Sequence, residues 1–446
     1  MWDKGKKERN RVSQAGGTGS SSLSYGARSY YRYRKFVKTL QIYLLLAGPG
    51  IIVMVADNDA GGITTYSVTG AQYGYSLIWF LILLGPIAYF VQEMTVRLGA
   101  VTKRGHAEAI FDAFGSFWGW FSLADLALTD WLTLITEFIG MTAALSIFGI
   151  PPILTVALVS VFMILLVING KYWTFEKIVL LLCVLNLIYI PAALLVQPNV
   201  SQIFWGIIPN LPGGPLGTLF FLLMANIGTT IAPWMLFFQQ SSVVDKGMKE
   251  KDIPFGRMDT AMGAVLTVVV AVFLIIVTGS LLYGQHIESA AQAAVSLQGI
   301  NYWVGTFLAI GLFDAGLLGA IAISLASSWA VGEVFGWAHS LNHRIREAPW
   351  FYIFYFFMLI SAGGMVLIST QATLVVVTLF VQVIAVTLLP AALVFLLLLL
   401  NSEELMGKYK NTRIQNIIGF SIVGMIILLS TLYALSVLFP SLLGGG

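Results

Sequence analysis

Asp57-Asn58-Asp59-Ala60-Gly61-Gly62 sets two carboxylates and a glycine pair inside an apolar run, AGPGIIVMVADNDAGGITTYSVTGAQYGY, from Ala47 to Tyr75. A carboxylate at membrane depth is costly unless it is paired or lines a cavity. Glycine weakens the helical ladder, and an opened ladder releases carbonyl oxygens that need new partners. Charged oxygens beside freed carbonyls form the donor set of a hard cation. The stretch therefore predicts a broken helix with a cation site near the middle of a bilayer. Asp59 is the leading ligand. The plain alternative is an acid that caps the second half-helix; Asp57 and the glycine pair favour the cation. Asp57 either faces the cytoplasmic vestibule or buttresses the ligands from behind.

The surrounding chain must supply a membrane. It has 446 residues, 58% hydrophobic and 10% charged, with a mean hydropathy of +0.86. Soluble domains carry about 25% charged residues, which points to a polytopic membrane protein. The one cysteine, Cys183, lies in an apolar run and reads as a buried filler, so neither a disulfide framework nor a thiolate metal cluster is expected. Residues 1–38 form a basic, Gly/Ser-rich arm, read as a cytoplasmic, lipid-facing tail in preference to a nucleic-acid binder. About forty mostly polar residues precede the first apolar segment, which reads as a retained helix and not as a cleaved signal.

Eleven apolar segments of spanning length follow, at about 40–70, 76–98, 120–148, 150–169, 176–197, 216–243, 261–284, 302–335, 350–368, 371–400 and 415–438. The loops after the even-numbered spans, their flanks and the N-terminal arm hold all 24 Lys and Arg residues. The opposite loops hold none, which predicts a cytoplasmic N-terminus and an extracellular C-terminus.

A second break is expected in span 6, FFLLMANIGTTIAPWMLFFQQSS, opening from Asn226 to Pro233. Breaks five spans apart are the mark of an inverted-repeat transporter. The carbonyls from Asn226 to Ala232 are candidate ligands. The hydroxyls of Thr229 and Thr230 either join them or bond their own backbone. Gln382 in span 10 is a lone amide in an apolar span; it serves the site or bridges helices. Glu137 in span 3 is a relay or vestibule acid, or a neutral hydrogen-bonded one. Asp314 and Glu333 in span 8 have no readable role. The four histidines avoid both breaks, which disfavours a His-ligated metal. No phosphate-binding loop is present, so nucleotide-driven transport is unsupported. No catalytic arrangement and no cofactor are expected.

These residues carry a resemblance. The chain resembles the Nramp divalent-metal transporters over nearly all of its length after about residue 40. Gly48-Pro49-Gly50, Asp59-Ala60-Gly61-Gly62 and Gly74-Tyr75 stand where that family has Gly-Pro-Gly, Asp-Pro-Gly-Asn and Gly-Tyr. Gly228-Thr229-Thr230-Ile231-Ala232-Pro233-Trp234 stands where it has Gly-Ala-Thr-Val-Met-Pro-His. The loop RLGAVTKRG, Gln382 eight residues before Pro390, and the Glu403–Asn411 stretch with Met406-Gly407 are further landmarks. The resemblance implies an all-α LeuT-like fold. Two inverted five-helix repeats, 39–200 and 215–400, are followed by an eleventh helix and short tail, 401–446.

The departures point to a branch. Gly62 replaces the family's metal-binding asparagine, Ala232 its methionine, Trp234 its histidine, and Leu134 one acid of a pair whose other member, Glu137, remains. Span 9 carries no basic residue. This pattern resembles the Nramp-related magnesium transporters, a bacterial branch, which implies a plasma-membrane location. The implied site draws on Asp59, Gly62, Thr229, Thr230, Ala232, Gln382, Asn226 and Asp57, with Glu137 and Trp234 as vestibule or relay positions. Magnesium is hard, takes oxygen ligands and sheds water reluctantly. Loss of the thioether removes what rewards a softer metal, and smaller residues at 62 and 232 enlarge the cavity. The expectation is uncoupled transport of Mg2+, and also Mn2+, by a monomer, with Ca2+ disfavoured. The alternatives are a proton-coupled Mn2+/Fe2+ transporter, a sodium-coupled organic-solute symporter of the same fold, and a metal-sensing receptor that moves nothing.

Overall fold

A computed structural model describes residues 48–168 and 170–438, without the side chains of 371–376 and 437. The expected basic arm and the terminal tail beyond 438 lie outside the described residues. Every one of the eleven apolar segments is helical. Span 1 is two helices, α1 (Pro49–Ala56) and α2 (Ala60–Tyr73). Span 2 is α3 (Ile78–Thr102), and a short α4 (His106–Phe114) leads into span 3, α5 (Ser116–Ser146). Span 4 is α6 (Pro152–Val167). Span 5 is α7 (Tyr172–Leu185), a 3-10 turn (Asn186–Ile188) and α8 (Tyr189–Leu195). After α9 (Val200–Ile207), span 6 is α10 (Leu216–Thr230) and α11 (Pro233–Asp245). Span 7 is α12 (Ile253–Leu281), and α13 (Ala290–Ile300) precedes span 8, α14 (Tyr302–Phe335). Spans 9 and 10 are α15 (Pro349–Ile368) and α16 (Gln371–Asn401). A short α17 (Glu403–Met406) leads to span 11, α18 (Arg413–Leu438).

Eight helical stretches among the described residues are long and apolar enough to cross a membrane. The other three spans are the broken first, the third with Asp125, Asp130 and Glu137, and the fourth, 16 residues long. The connecting helices α9 and α13 lie in segments read as loops. Each has a local cap that a spanning-length search overlooks: Asn199 accepts from Gln202 N and Ser289 from Gln292 N.

The helices fall into two groups. The long α5 and α14 lie against each other, with α15 on both and α6 beside α5 and α15. In the second group α12 runs along α1, α2 and α3, and α11 packs on α3. The most apolar stretches of α10–α11 and of α14 are each 89% buried, whereas that of α18 is 22% buried. The two broken spans thus sit inside the bundle, and α18 lies on its rim.

The start of α1 explains Gly48-Pro49-Gly50. Pro49 has no N–H to satisfy in a first helical turn. The neighbouring N–H groups all donate to one buried carboxylate, Asp259 of α12: Gly48 at 3.0 Å, Gly50 at 2.7 Å and Ile51 at 3.2 Å. A Cβ on Gly50 would collide with the Thr260 backbone, and one on Gly263 with the Gly50 carbonyl and Met54. The two helices therefore cross backbone to backbone, and only glycine permits that approach. The bundle end that carries Asp259 also holds a buried ion pair, Lys246 Nζ to Glu176 Oε1 at 2.8 Å, with the Glu176 carboxyl against Gly48. Nearby, Glu93 accepts from both Arg97 and Arg257, and Arg97 also reaches the Tyr409 carbonyl and Asn411.

His106, at the start of α4, is buried and sits 2.8 Å from Gln240 Oε1, edge-on to Phe237. Burial pushes its imidazole down to about 4, which makes it a neutral packing group.

Asp259→Ala strands three N–H groups at the start of α1, and each buried orphan costs about 1–3 kcal/mol. The thermal unfolding midpoint in detergent should fall clearly, and Asp259→Asn should recover part of the loss. An unchanged midpoint for the alanine variant would show that the carboxylate does not anchor α1.

Candidate metal site

The break in span 1 is closed by side chains from three other elements. The chain leaves α1 with Asp57 N donating to Val53 O at 3.2 Å and Asn58 N to Val55 O at 3.1 Å. Asn58 is anchored to α12, donating through Nδ2 to Thr267 O at 3.4 Å while Thr267 Oγ1 donates back to Met54 O. Asp59 is extended (φ −72°, ψ 179°) and caps α2, its Oδ1 accepting from Gly62 N at 2.6 Å. Ala60 N donates to Glu137 Oε2 of α5 at 2.9 Å instead of to Ala56 O. Gln382 of α16 donates through Nε2 to the same Asp59 Oδ1 at 3.4 Å.

Glycines make this convergence possible. A Cβ on Gly61 would occupy the position of Gln382 Nε2, and one on Gly228 that of the Gln382 carbonyl. A Cβ on Gly319 of α14 would meet Glu137 Oε2 and Asp59 Cβ. A Cβ on Gly62 would meet the Thr229 hydroxyl. The room expected where Gly62 replaces a larger residue is therefore taken up by Thr229 from span 6. On this side the cavity is not enlarged.

The opening in span 6 is narrower than Asn226 to Pro233. Helix α10 continues through Thr230, and only Ile231 and Ala232 are extended (ψ 91° and 151°). Back-bonding explains the difference: Asn226 Nδ2 donates to Leu222 O at 2.7 Å and Thr230 Oγ1 to Asn226 O at 2.7 Å, which holds the last turns closed. The ladder fails only where Pro233 offers Thr229 O no N–H and where Ala232 N turns instead to Met235 Sδ at 3.2 Å. The two breaks touch where Thr229 Oγ1 donates to Asp57 O at 3.4 Å.

Three of the expected residues gather at Asp59 and the residue after it: Gly62, Gln382 and Glu137. Gln382 and Gly62 are hydrogen-bonded to it, and Glu137 caps the residue after it. Thr229 joins the breaks. Asp57, Asp59, Gln382 and Glu137 are each at most 2% exposed. Asp57 is buried; its carbonyl meets span 6, while its Oδ2 has no protein partner. Asn226 turns to Thr69 Oγ1 of α2 at 3.0 Å, and its Oδ1 has no partner. Thr230 bonds its own backbone and lies 3.4 Å from the Tyr66 hydroxyl. Ala232 sits at the opening. Trp234 is buried and edge-on to Phe238. Sequence reasoning missed Asn58, Tyr66, Thr267 and Met235. Asn58 lay between the two acids that drew attention; the others are common residue types in apolar helices and carry no signal.

Among the described residues no three His, Cys, Asp or Glu side chains form a metal cluster. The donors on offer are the buried carboxylate of Asp59, amide and hydroxyl oxygens, and main-chain carbonyls released at the breaks. That set suits a hard ion that keeps part of its water.

Comparison with known proteins gives the family and the fold. The profile of the Nramp family (natural resistance-associated macrophage protein-like) matches residues 50–436. The divalent metal cation transporter MntH of Listeria monocytogenes is 26% identical over 347 residues, 74% of this chain and 76% of that one. MntH of Lacticaseibacillus casei is 30% identical over 260 residues, 56% of each chain. A manganese transporter of Eremococcus coleocola superposes with a TM-score of 0.73 at 22% identity, covering 90% of this chain and 89% of that one. MhsT in complex with L-phenylalanine superposes with a TM-score of 0.56 at 14% identity, covering 86% and 98%. The fold is LeuT-like, with broken spans 1 and 6, and the chain belongs to the Nramp family.

Proposed function

We propose that the chain carries divalent metal ions, Mg2+ and also Mn2+, across a membrane by alternating access and without a coupled proton. The divalent cation is supported by the names of the similar proteins, MntH and a manganese transporter. The observation that carries the finer reading is the chemistry at Asp59: a glycine N–H and the Gln382 amide engage its Oδ1, and the Thr229 hydroxyl lies beside Gly62 and donates to Asp57 O. At the span 6 break, Met235 Sδ accepts from the Ala232 N–H and is thereby engaged with the main chain. An oxygen-lined site without a free thioether gives a soft ion no advantage.

Proton independence rests on an interrupted relay that leaves Asp59 and Glu137. Trp234 cannot carry a proton at the span 6 break. Leu134 lies one turn from Glu137, and Glu137 is occupied as a helix cap for Ala60. Broken spans move against the α5–α14 group in this reading, and the inside-negative potential drives a divalent ion with about 4.6 kcal/mol per 100 mV. The Lys and Arg distribution favours a cytoplasmic N-terminus. The two five-helix repeats are taken as 39–200 and 215–400.

Three measurements test this. In liposomes carrying a pH-sensitive dye, Mg2+ and Mn2+ should enter with no change in internal pH; metal-driven acidification removes the uncoupled mechanism. Asp59→Ala should abolish uptake of both ions while leaving the elution profile intact, and unimpaired uptake removes the site. Ala232→Met should raise inhibition of Mn2+ uptake by Cd2+. If Cd2+ already competes strongly in the wild type and stops doing so in Met235→Leu, the sulfur at the break is a ligand and the magnesium reading fails.

A further inference from the structure

Span 5 passes from α7 into α8 through the 3-10 turn at Asn186–Ile188. Asn186 is buried, and its Nδ2 donates to Asp314 Oδ2 of α14 at 3.3 Å. Asp314 is 1% exposed. The remaining oxygens of the pair, Asn186 Oδ1 and Asp314 Oδ1, are both acceptors, and neither has a protein donor. Tyr189, one turn beyond Asn186, lays its ring and hydroxyl against Gly311, one turn before Asp314. None of these residues touches Asp59.

An ionised carboxylate this deep, with a single amide donor, leaves most of its hydration unreplaced, and such groups are neutralised by a cation or a proton. No Lys, Arg or His forms an ion pair with Asp314 among the described residues. A proton fits the atoms at hand. A carboxylic acid and a primary amide are mutually complementary: the amide N–H donates to one carboxyl oxygen, and the carboxyl O–H donates to the amide oxygen. One proton on Asp314 Oδ1 serves both orphaned oxygens at once.

We propose that Asp314 is a proton-binding site in the membrane interior, that its proton is held in a reciprocal acid–amide pair with Asn186, and that this pair pins the 3-10 turn of span 5 to α14. The proton is resident and not cargo, so the proposal stands whether or not metal flux is coupled to protons. Its reach extends along α7, which packs on α1, with the Glu176 carboxyl against Gly48. The pinned turn thereby bears on the half-helix that leads to Asp57. The sign is fixed by the atoms. With the proton present the pair is closed. Raising the pH removes it, sets a carboxylate oxygen against the Asn186 amide oxygen and frees the turn. The titratable groups within electrostatic reach of Asp314 are Cys183 and Tyr189, both from span 5. From α5, Glu137 faces Gly316 and Gly319 of the same helix.

Infrared spectroscopy of the full-length protein in lipid reads the site directly. At neutral pH the wild type should show a carboxylic-acid carbonyl band that is lost in Asp314→Asn, whose amide can donate where the O–H did. Asn186→Ala should keep that band and move it to higher frequency, because the acid loses its amide partner. Metal uptake in liposomes should fall in the wild type over the pH range in which the band disappears, and should stay flat there in Asp314→Asn. A difference spectrum with no lost acid band means that Asp314 is ionised, and the proposal is wrong. It is equally wrong if the band ignores Asn186→Ala, if uptake in Asp314→Asn follows the wild-type pH profile, or if sodium chloride raises the unfolding midpoint of the wild type and not of Asp314→Asn, which would make sodium the occupant.

Discussion

Hydrocarbon offers no hydrogen bonds, so each main-chain group freed at a broken span has to find a partner inside the protein. That constraint organises the molecule. At the span 1 break the Gly62 N–H is taken by Asp59, the Ala60 N–H by Glu137, and the Met54 carbonyl by Thr267. These partners come from α5 and α12 as well as from the break itself. At the entry to α1 three further N–H groups converge on Asp259. Each partner is buried; Glu137 ties span 1 to α5, and Thr267 and Asp259 tie it to α12. The break is therefore a defined structure and not a loosened helix.

Much of this was legible in the sequence, and the reasons differ by feature. Span 8 was expected at 302–335 and is observed as Tyr302–Phe335, because a long apolar run between loops is a strong signal. The break at Asp57–Asp59 was legible because acids and adjacent glycines are out of place in such a run. Span 6 was read too wide: weak helix formers suggested an opening from Asn226, yet asparagine and threonine back-bonding keeps α10 intact to Thr230. Propensity reports what a residue prefers in isolation; here side chain to backbone bonds overrode it. The connecting helices α4, α9 and α13 escaped because they are short and partly polar.

Within the site, chemistry-bearing types were legible and their orientation was not. Asp59 and Gln382, 323 residues apart, meet because Gly61 and Gly228 let α16 approach. The glycines at 61 and 62 had been read as openers of the helix; they also serve as clearances for Gln382 and Thr229. That second role reverses one inference. A small residue at position 62 does not by itself create space for a hydrated ion, since the hydroxyl of Thr229 fills it. Asp259, which holds the Gly-Pro-Gly turn, stood isolated at the start of span 7 and gave no hint of three N–H partners.

The same oxygen that caps α2 is the one that Gln382 approaches. Under the proposed function, a metal at Asp59 would bind a carboxylate already engaged by two donors at 2.6 and 3.4 Å. Either the ion uses the other carboxylate oxygen, leaving the cap intact, or it displaces the cap at a cost of about 1 kcal/mol. In both cases the cap opposes full enclosure of the ion by Asp59. A carrier benefits from that opposition, because an ion enclosed by several rigid ligands leaves slowly. Magnesium, which keeps several waters, asks least of the protein in direct ligands. In the proposed function, the geometry of the cap and the preference of the ion would thus pull in the same direction, towards loose coordination of a hydrated guest at a buried carboxylate.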